Sequence, residues 1–528
     1  MNRITYSCAA ALLAMTAITN SAFAEDLTVG VKAEISAADP HVLFGPNRNI
    51  GGQVYEPLFA TDNSQNPMPG LVETWKDVEP TVYEFTLREG VKFHDGTTLT
   101  SEDVKFSFER ALNLDAPRTF KTYLKNVDTV EVVDDRTFRI KTKAPSAILI
   151  NNLTTFGIVS KASAMNADEN AFAAGEIAGT GPYKWVSYTP GDSVVLAGHE
   201  SYWGGAPNFD NVTYKFLKNE STRVAALLSG NVQVIDEVPP NLVQRLEDED
   251  GIEVTSGTSY MLNYVGLDQH RDVSPYVKGL NDEEIPNPFL DVRVRTAMSY
   301  LLNRQLISDR IMDGLSTPAG QFVPAGMVGH VDEGMEPFPY DVAKAKELLT
   351  EAGYPDGFKL TIHCTNDRYM NDGKVCEAMG QLLSAGGIPT EVQTLPRSVY
   401  FKRASRGGEN GEPEFSFYMV GFGAANGVAD AALTALVMTY DKKAKTGANN
   451  RARYSNSEVD RLASEAAAES DESKRLELLA QATKIAIDEV GVLPIHHLSA
   501  VWATRDGLTI EPRTDLFSRA QNIKHHTN

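Results

Sequence analysis

Cysteine is scarce: three in 528 residues, and Cys8 falls within the first 24, which leaves Cys364 and Cys376. Two thiols are too few for a structural zinc site, and His363 stands alone beside them. In an oxidising compartment the pair forms a disulfide if the fold brings it together, and so short a loop would contribute about 3 kcal/mol by the loop-entropy model. The other reading is two buried free thiols. Long apolar runs are lacking too. Outside the N-terminus nothing approaches the 18 consecutive apolar residues of a membrane-spanning helix. Positive charge is short, with 49 Lys and Arg against 70 Asp and Glu, a net charge of −21. That balance excludes a general nucleic-acid binder, which needs a cationic footprint to displace counterions. No long run of like charge occurs, so the acidity is not that of a disordered tail. There is no GxSxG elbow, P-loop, HExxH, EF-hand loop or paired CxxC, and so no motif for catalysis or for a resident metal or cofactor. Internal repeats and low-complexity linkers are absent as well.

What is present begins with an export signal. Residues 1–24 read MNRITYSCAAALLAMTAITNSAFA. Arg3 provides a short positive region, an apolar stretch runs from Cys8 to about Ile18, and Ala22-Phe23-Ala24 forms the A-x-A cleavage pattern. Cys8 precedes the apolar run, which argues against a lipidated N-terminal cysteine. The expected location is therefore the periplasm of a Gram-negative cell, free of the membrane. Hydrophobic residues at 42% and charged residues at 23% are an ordinary globular balance, and the length predicts about three to four domains or subdomains.

The first part of the mature chain is rich in strands. DLTVGV alternates at Leu27, Val29 and Val31, and YEFTLREGVKF alternates at Tyr83, Phe85 and Leu87, turns, and resumes with Val91 and Phe93. His94-Asp95-Gly96 reads as a turn. Thr100 with Asp103 reads as a capping box opening a helix through Val104, Phe108 and Leu112. Near residue 178 the pattern changes. Gly179-Thr180-Gly181-Pro182 introduces two strands, and NVTYKFL, a helix over about 220–229 and a strand at 232–235 follow in βαβ order. From about residue 288 long helices begin. Asp291 and Asp341 cap two of them, GFKLTIHCT is a strand, residues 371–385 a helix, TEVQTL a strand, and 472–490 a last helix. With no flexible linker, the lobes should be joined by strand crossovers.

Few residues invite a chemical role. Gly421-Phe422-Gly423-Ala424-Ala425-Asn426 starts like a dinucleotide fingerprint but lacks its third small residue. His496 and His497 point to opposite faces if they lie on a strand, which favours a structural part. His525 and His526 lie in the C-terminal tail, and Glu247-Asp248-Glu249-Asp250 reads as a solvated helix end. One segment stands out, FSFYMVGFGAANGVAD (415–430): an apolar strand running into a glycine-rich turn, where a backbone can approach a bound molecule closely. Open α/β sheets bind ligands at such carboxyl ends of strands.

Several blocks together carry a resemblance. They are YEPL (55–58), LVETW (71–75), YEFTLREGVKFHDGTTLTSEDVKFSFERAL (83–112), GTGPYKW (179–185), PFLDVRVRTAMSYLLNR (288–304), YDVAKAKELLTEAGYPDGFKLTI (340–362), RYSNSEVDRL (453–462) and LPIHH (493–497). In this order they resemble the family-5 solute-binding proteins of ABC importers, the dipeptide-, oligopeptide- and nickel-binding group. The resemblance implies an α/β, periplasmic binding protein-like (type II) two-lobed clamp with an additional α+β domain. Lobe I would combine residues 25–57, 178–268 and 495–528; the additional domain, 58–177; and lobe III, 269–494. It further implies a monomer that catalyses nothing, binds a peptide or small solute between its lobes, and delivers it to inner-membrane permease subunits with their ATPases. One departure matters. Where dipeptide binders resemble G-W-x-G-D-N-G-D-P-D in this turn, Ala425 stands at the carboxylate that would pair with a peptide's α-ammonium, and Phe422 replaces the Trp. Either Asp430 or another acid serves, or the ligand lacks a free α-amino group. The ligand-binding residues expected are Phe422, Asn426 and Asp430, with Arg368 for a carboxylate and Tyr55 at an interlobe crossover; Tyr260 and Asn263 lie near the second crossover. The changed turn also admits an opine or sugar conjugate or a metal–chelator complex. A bare nickel ion would need more O and N ligands than this turn offers. From other classes, a secreted hydrolase requires a nucleophile–base pair that the sequence does not display, and a chaperone or signalling receptor on the same clamp is the third alternative.

Overall fold

The computed structural model describes residues 26–116 and 118–526; the expected export signal, at 1–24, lies outside the described residues. β1 (Asp26–Val31) buries Leu27, Val29 and Val31. A short helix, α1 (Gly45–Gly51), follows, with Pro46 in its first turn, where a missing N–H costs nothing. The chain then leaves for a separate sheet: β2 (Val72–Glu79), β3 (Val82–Leu87), α2 (Ser101–Asn113), β4 (Val127–Val132) and β5 (Thr137–Thr142), with strands in the order β2-β3-β5-β4. Phe85, Phe138, Val104 and Phe108 make its core. The α2 cap is built as its sequence predicts: the Thr100 N–H donates to Asp103 Oδ2 at 3.0 Å, so an Asp serves where Glu is usual. Val91 and Phe93 are buried but do not resume a strand. The Asp95-Gly96 turn folds the chain back at once, with Gly96 at φ +87° and its N–H donating to the Phe93 carbonyl.

The chain returns through β6 (Tyr183–Thr189), β7 (Ser193–Gly198) and β8 (Asn211–Phe216), then α3 (Glu220–Leu228), capped by Asn219, and β9 (Val234–Ile235). β8 and β9 flank β1 and both run parallel to it. α4 (Pro240–Glu247) runs out into the exposed acidic residues 247–250. β10 (Ile252–Leu267) then carries the chain into the second lobe. There α5 (Val292–Tyr300), α6 (Val342–Glu351), β11 (Lys359–Thr365), α7 (Asp372–Ala385), β12 (Thr390–Leu395) and β13 (Phe417–Gly423) pack around a core containing Met298, Leu349, Ile362 and Phe417, and α8 (Glu472–Asp488) packs through Leu479, Ala482 and Ile487 in a neighbouring core with Tyr400 and Tyr418. Asp291 and Asp341 cap α5 and α6 by accepting from the Arg293 and Lys344 N–H groups. Cys364, at the end of β11, is disulfide-bonded to Cys376 in α7, their Cα atoms 6.4 Å apart. β14 (Leu493–Arg505) takes the chain back.

One twelve-stranded sheet runs through both lobes. Its main path is β11-β13-β10-β14-β9-β1-β8-β7-β6, with β12 alongside β11 and two short edge strands. The centre is the antiparallel pair β10 and β14, whose register shifts between Thr258 and Leu262. Along β14 the packing partner changes within two residues: Leu493, Ile495 and Leu498 belong to the second lobe's core, whereas Ala500 and Trp502 belong to that of β1. The lobes are joined by strands that cross from one core to the other. Among the described residues no helix is long and apolar enough to cross a membrane.

Candidate functional site

The glycine-rich turn is shaped by close approach of aromatic rings to the end of β13. A Cβ on Gly421 would lie 2.6 Å from the Tyr369 ring, and one on Gly423 2.1 Å from that of Tyr260. At Gly427, φ is +76° and the neighbour is the Gln65 carbonyl, 2.6 Å from such a Cβ. Gly427 thus admits only glycine, and a side chain at 421 or 423 would force the Tyr369 or Tyr260 ring to move. Tyr260 sits close to the turn and is held by its N–H on the Thr514 carbonyl; burial pushes its phenol up to about 12. Asn263 lies deeper, with its amide nitrogen 3.3 Å from His496 Nε2 and its Oδ1 without a partner.

Of the predicted ligand residues, Arg368 lines the larger of two spaces described below and Tyr55 the smaller, whereas Phe422, Asn426 and Asp430 line neither. Phe422 is half-buried against Val323, Met327, Ala424 and Ala429. Asn426 is buried and reaches the inserted unit, donating from Nδ2 to Asn152 Oδ1 at 3.3 Å; its own Oδ1 has no partner. Asp430 is buried beneath the turn with Oδ1 unpartnered, and burial raises its carboxyl to about 6 against the pull of Arg475. A carboxyl so held is a poor counter-charge for an ammonium. Arg368 lies on the cleft wall, its guanidinium 5.1 Å from the Tyr369 ring centre. Tyr55 is 1% exposed, in the core of the first lobe, its hydroxyl donating to the Ile177 carbonyl at 3.3 Å. It backs the site rather than presenting a free phenol to it.

Two spaces open between these parts. The larger is a cleft of about 180 Å³, open to solvent. Lys32 and residues 236–241 line it from the first lobe, Arg368 to Asn371 from the second, with Ala500 and Trp502 of β14 at its floor. Asp236, at its edge, accepts from the Lys32 N–H and is pushed up to about 7 by burial and by Glu237. The smaller is a recess of about 20 Å³ lined by Arg48, Gly52, Tyr55, Thr154, Thr155 and Arg519, among others. Arg48 donates from Nη1 to the carbonyl of Ala425, at 3.3 Å, so the turn of one lobe meets the first lobe here. Arg48 and Arg519 both face the ring of Phe517, at 5.5 and 5.0 Å.

The sequence reading missed Arg48, Arg519 and Asn152. No local signal marks them, because they meet only through packing of α1, the C-terminal segment and the inserted unit. No group of three or more His, Cys, Asp or Glu side chains is arranged to hold a metal among the described residues. His496 and His497 are buried, and desolvation lowers them to about 4 and about 3.

Comparison with known proteins gives this geometry a context. Residues 66–444 match the family described as bacterial extracellular solute-binding proteins, family 5 (middle). The glutathione-binding protein GsiB of Salmonella typhi is 29% identical over 478 residues, 89% of each chain. Among solved structures, the periplasmic binding protein DppA of Helicobacter pylori, in complex with the peptide STSA, superposes with a TM-score of 0.74 at 24% identity, covering 95% of this chain and 98% of that one. AgaA from A. tumefaciens R10, in complex with agropinic acid, gives 0.72 at 25% identity, covering 96% and 99%. The unliganded open form of the murein tripeptide-binding protein MppA gives 0.78 at 22%, covering 96% and 98%. With a family match over most of its length and the two-lobed type II fold, this chain belongs to the family-5 bacterial extracellular solute-binding proteins.

Proposed function

We propose that the protein is the periplasmic substrate-binding component of an ABC importer for peptides or peptide-like solutes. It closes its lobes around the solute and hands it unchanged to inner-membrane permease subunits driven by ATPases. The observation that carries the reading is the solvent-open cleft whose walls come from different lobes and whose floor is the crossing strand β14. A ligand that touches both walls is bound better in the closed arrangement, and that differential affinity drives closure. The proposal keeps the boundaries read from the sequence: lobe I from 25–57, 178–268 and 495–528, the additional domain from 58–177, and lobe III from 269–494, after removal of a signal peptide at 1–24. Phe422, Asn426 and Arg368 remain the proposed ligand-side residues, with Asp430 and Tyr55 acting from behind them.

A second ligand class within the same role is favoured by Ala425. Because the turn carries no exposed carboxylate for an ammonium, an opine or sugar conjugate without a free amine suits it as well as a peptide, and AgaA, 25% identical, was solved with agropinic acid.

The test is mass spectrometry of protein isolated from its native periplasm under non-denaturing conditions, followed by a thermal-shift titration with the compound released. A bound solute recovered intact, and stabilisation of about 2.7 kcal/mol at a hundredfold excess over Kd, are expected. Recovery of a chemically altered compound on re-incubation, or no solute stabilising the protein in a broad peptide and opine panel, would overturn the proposal.

A further inference from the structure

The recess beside the Ala425 turn has an electrostatic peculiarity. In a chain of net charge −21, two guanidiniums are brought to one aromatic ring and one small space. No acidic side chain lines that space. The carboxylate that acts on Arg519, Asp515, is already engaged: Arg513 holds it through Nε and Nη2, at 3.0 and 2.6 Å, and the Phe517 N–H takes another lone pair at 3.1 Å. Arg519 Nε is buried and finds no acceptor. Arg48 gives one N–H to the Ala425 carbonyl. The neighbouring polar side chains have spent their donors elsewhere: Asn47 Nδ2 on Ser36 Oγ and the Val42 carbonyl, and the Thr154 and Thr155 hydroxyls on the carbonyls of Asn151 and Asn152. What points into the recess with hydrogen-bonding capacity to give is therefore cationic.

Holding like charges together and partly out of water is costly unless a counter-ion completes the set. Burial, together with the positive charges of Arg513 and Arg48, lowers the Arg519 guanidinium to about 10, which is the same cost seen from the proton's side. The recess, at about 20 Å³, has room for between one and two water-sized groups. That matches the two oxygens of a carboxylate head.

We propose that the solute is anionic and that its acidic head docks between Arg48 and Arg519, beside the carbonyl of Ala425. This rests on the solute-binding reading and adds the charge class of the ligand and two specificity residues. Planar guanidiniums suit this task because they offer paired N–H donors to a carboxylate or phosphate. It also gives a reason for the residue at 425: an Asp there would neutralise Arg48 and close the seat.

The experiment titrates the full mature protein with succinate and, separately, with inorganic phosphate at low ionic strength, where screening is weak, reading thermal stabilisation. Saturable stabilisation by one or both anions is expected, and the tighter of the two identifies a carboxylate or phosphate head. Arg48→Gln, Arg519→Gln and Ala425→Asp should each weaken that response by about tenfold or more, while Arg48→Lys keeps part of it. No saturable response in the wild type, or an undiminished one in all three variants, overturns the proposal. Should either Gln variant fail to fold, Ala425→Asp, which removes no packing, decides the outcome by itself: an undiminished response in it overturns the proposal. The two readings fail separately. If anions bind and depend on Arg48 but no solute closes the lobes, the clamp is wrong and the anion seat stands. If neutral peptides close the lobes with equal affinity in wild type and both Gln variants, the seat is wrong and the clamp stands.

Discussion

Asp430 shows how far the chemistry of one side chain depends on depth. Placed three residues beyond Gly427, it belongs by sequence to the ligand turn, yet it is buried, and its carboxyl is raised from an ordinary 3.8 to about 6. The folded chain then holds this proton more tightly than the unfolded chain does. Stability from this group is fully present below about pH 4 and is lost as pH rises through about 6, by up to ~3 kcal/mol. Asp430→Asn should flatten the fall in Tm between pH 4 and pH 6.5 relative to the wild type; parallel pH profiles of the two proteins would refute that assignment. The contrast with Arg48 and Arg519 marks what a sequence can tell. The strand and turn that carry Phe422, Asn426 and Asp430 were legible because an apolar strand followed by a glycine-rich turn is a local pattern. That Asp430 faces inward, and that two arginines at opposite ends of the chain face the same ring, follow from long-range packing that no local pattern encodes.

At the scale of elements, one of the blocks that carry the resemblance has a steric explanation. In GTGPY, a Cβ on Gly179 would sit 2.0 Å from the Val54 carbonyl oxygen and one on Gly181 2.2 Å from that of Gln53. Two backbone segments, one leaving the first lobe and one re-entering it, are pressed together there. Thr180 between them donates to Glu56 Oε2 at 2.8 Å, alongside Tyr202 and Trp203, which donate to the same carboxylate. Gly181→Ala should therefore cost more than about 3 kcal/mol, since the contact is with backbone that cannot rotate away; a denaturant midpoint within error of the wild type would show that this junction yields more than its geometry implies. Helices with a capping residue, such as α2, α5 and α6, could be placed from the sequence almost to the residue. The strands β10 and β14 could not, although the crossovers themselves were expected. Of the sixteen residues of β10 seven are buried, seven half-buried and two exposed, so neither alternation nor a continuous apolar run announces the strand.

For the whole molecule, the decisive element is the β10–β14 pair. β14 passes from the second lobe's core to that of β1, β10 runs from Ile252 and Val254, packed with Val224 and Ile235 of the first lobe, to Val265 and Leu267 in the second lobe's core, and their register slips at Thr258–Leu262. A bend there leaves both cores intact, which is the condition for a hinge. Saturation with the co-purifying solute should lower the radius of gyration measured by small-angle X-ray scattering, with both lobes keeping their fold by circular dichroism. A curve unchanged at saturation would mean that the cleft takes its guest without closing.

The same strand pairing orders the making of the protein in time. β1, at the start of the described chain, is bonded to β9, and the next strand in the sheet is β14, completed only at Arg505. A chain synthesised from its N-terminus therefore cannot finish its first lobe until nearly all of it exists. Contacts so distant in sequence form slowly, and the interval leaves the polypeptide threadable for as long as it is being carried across a membrane.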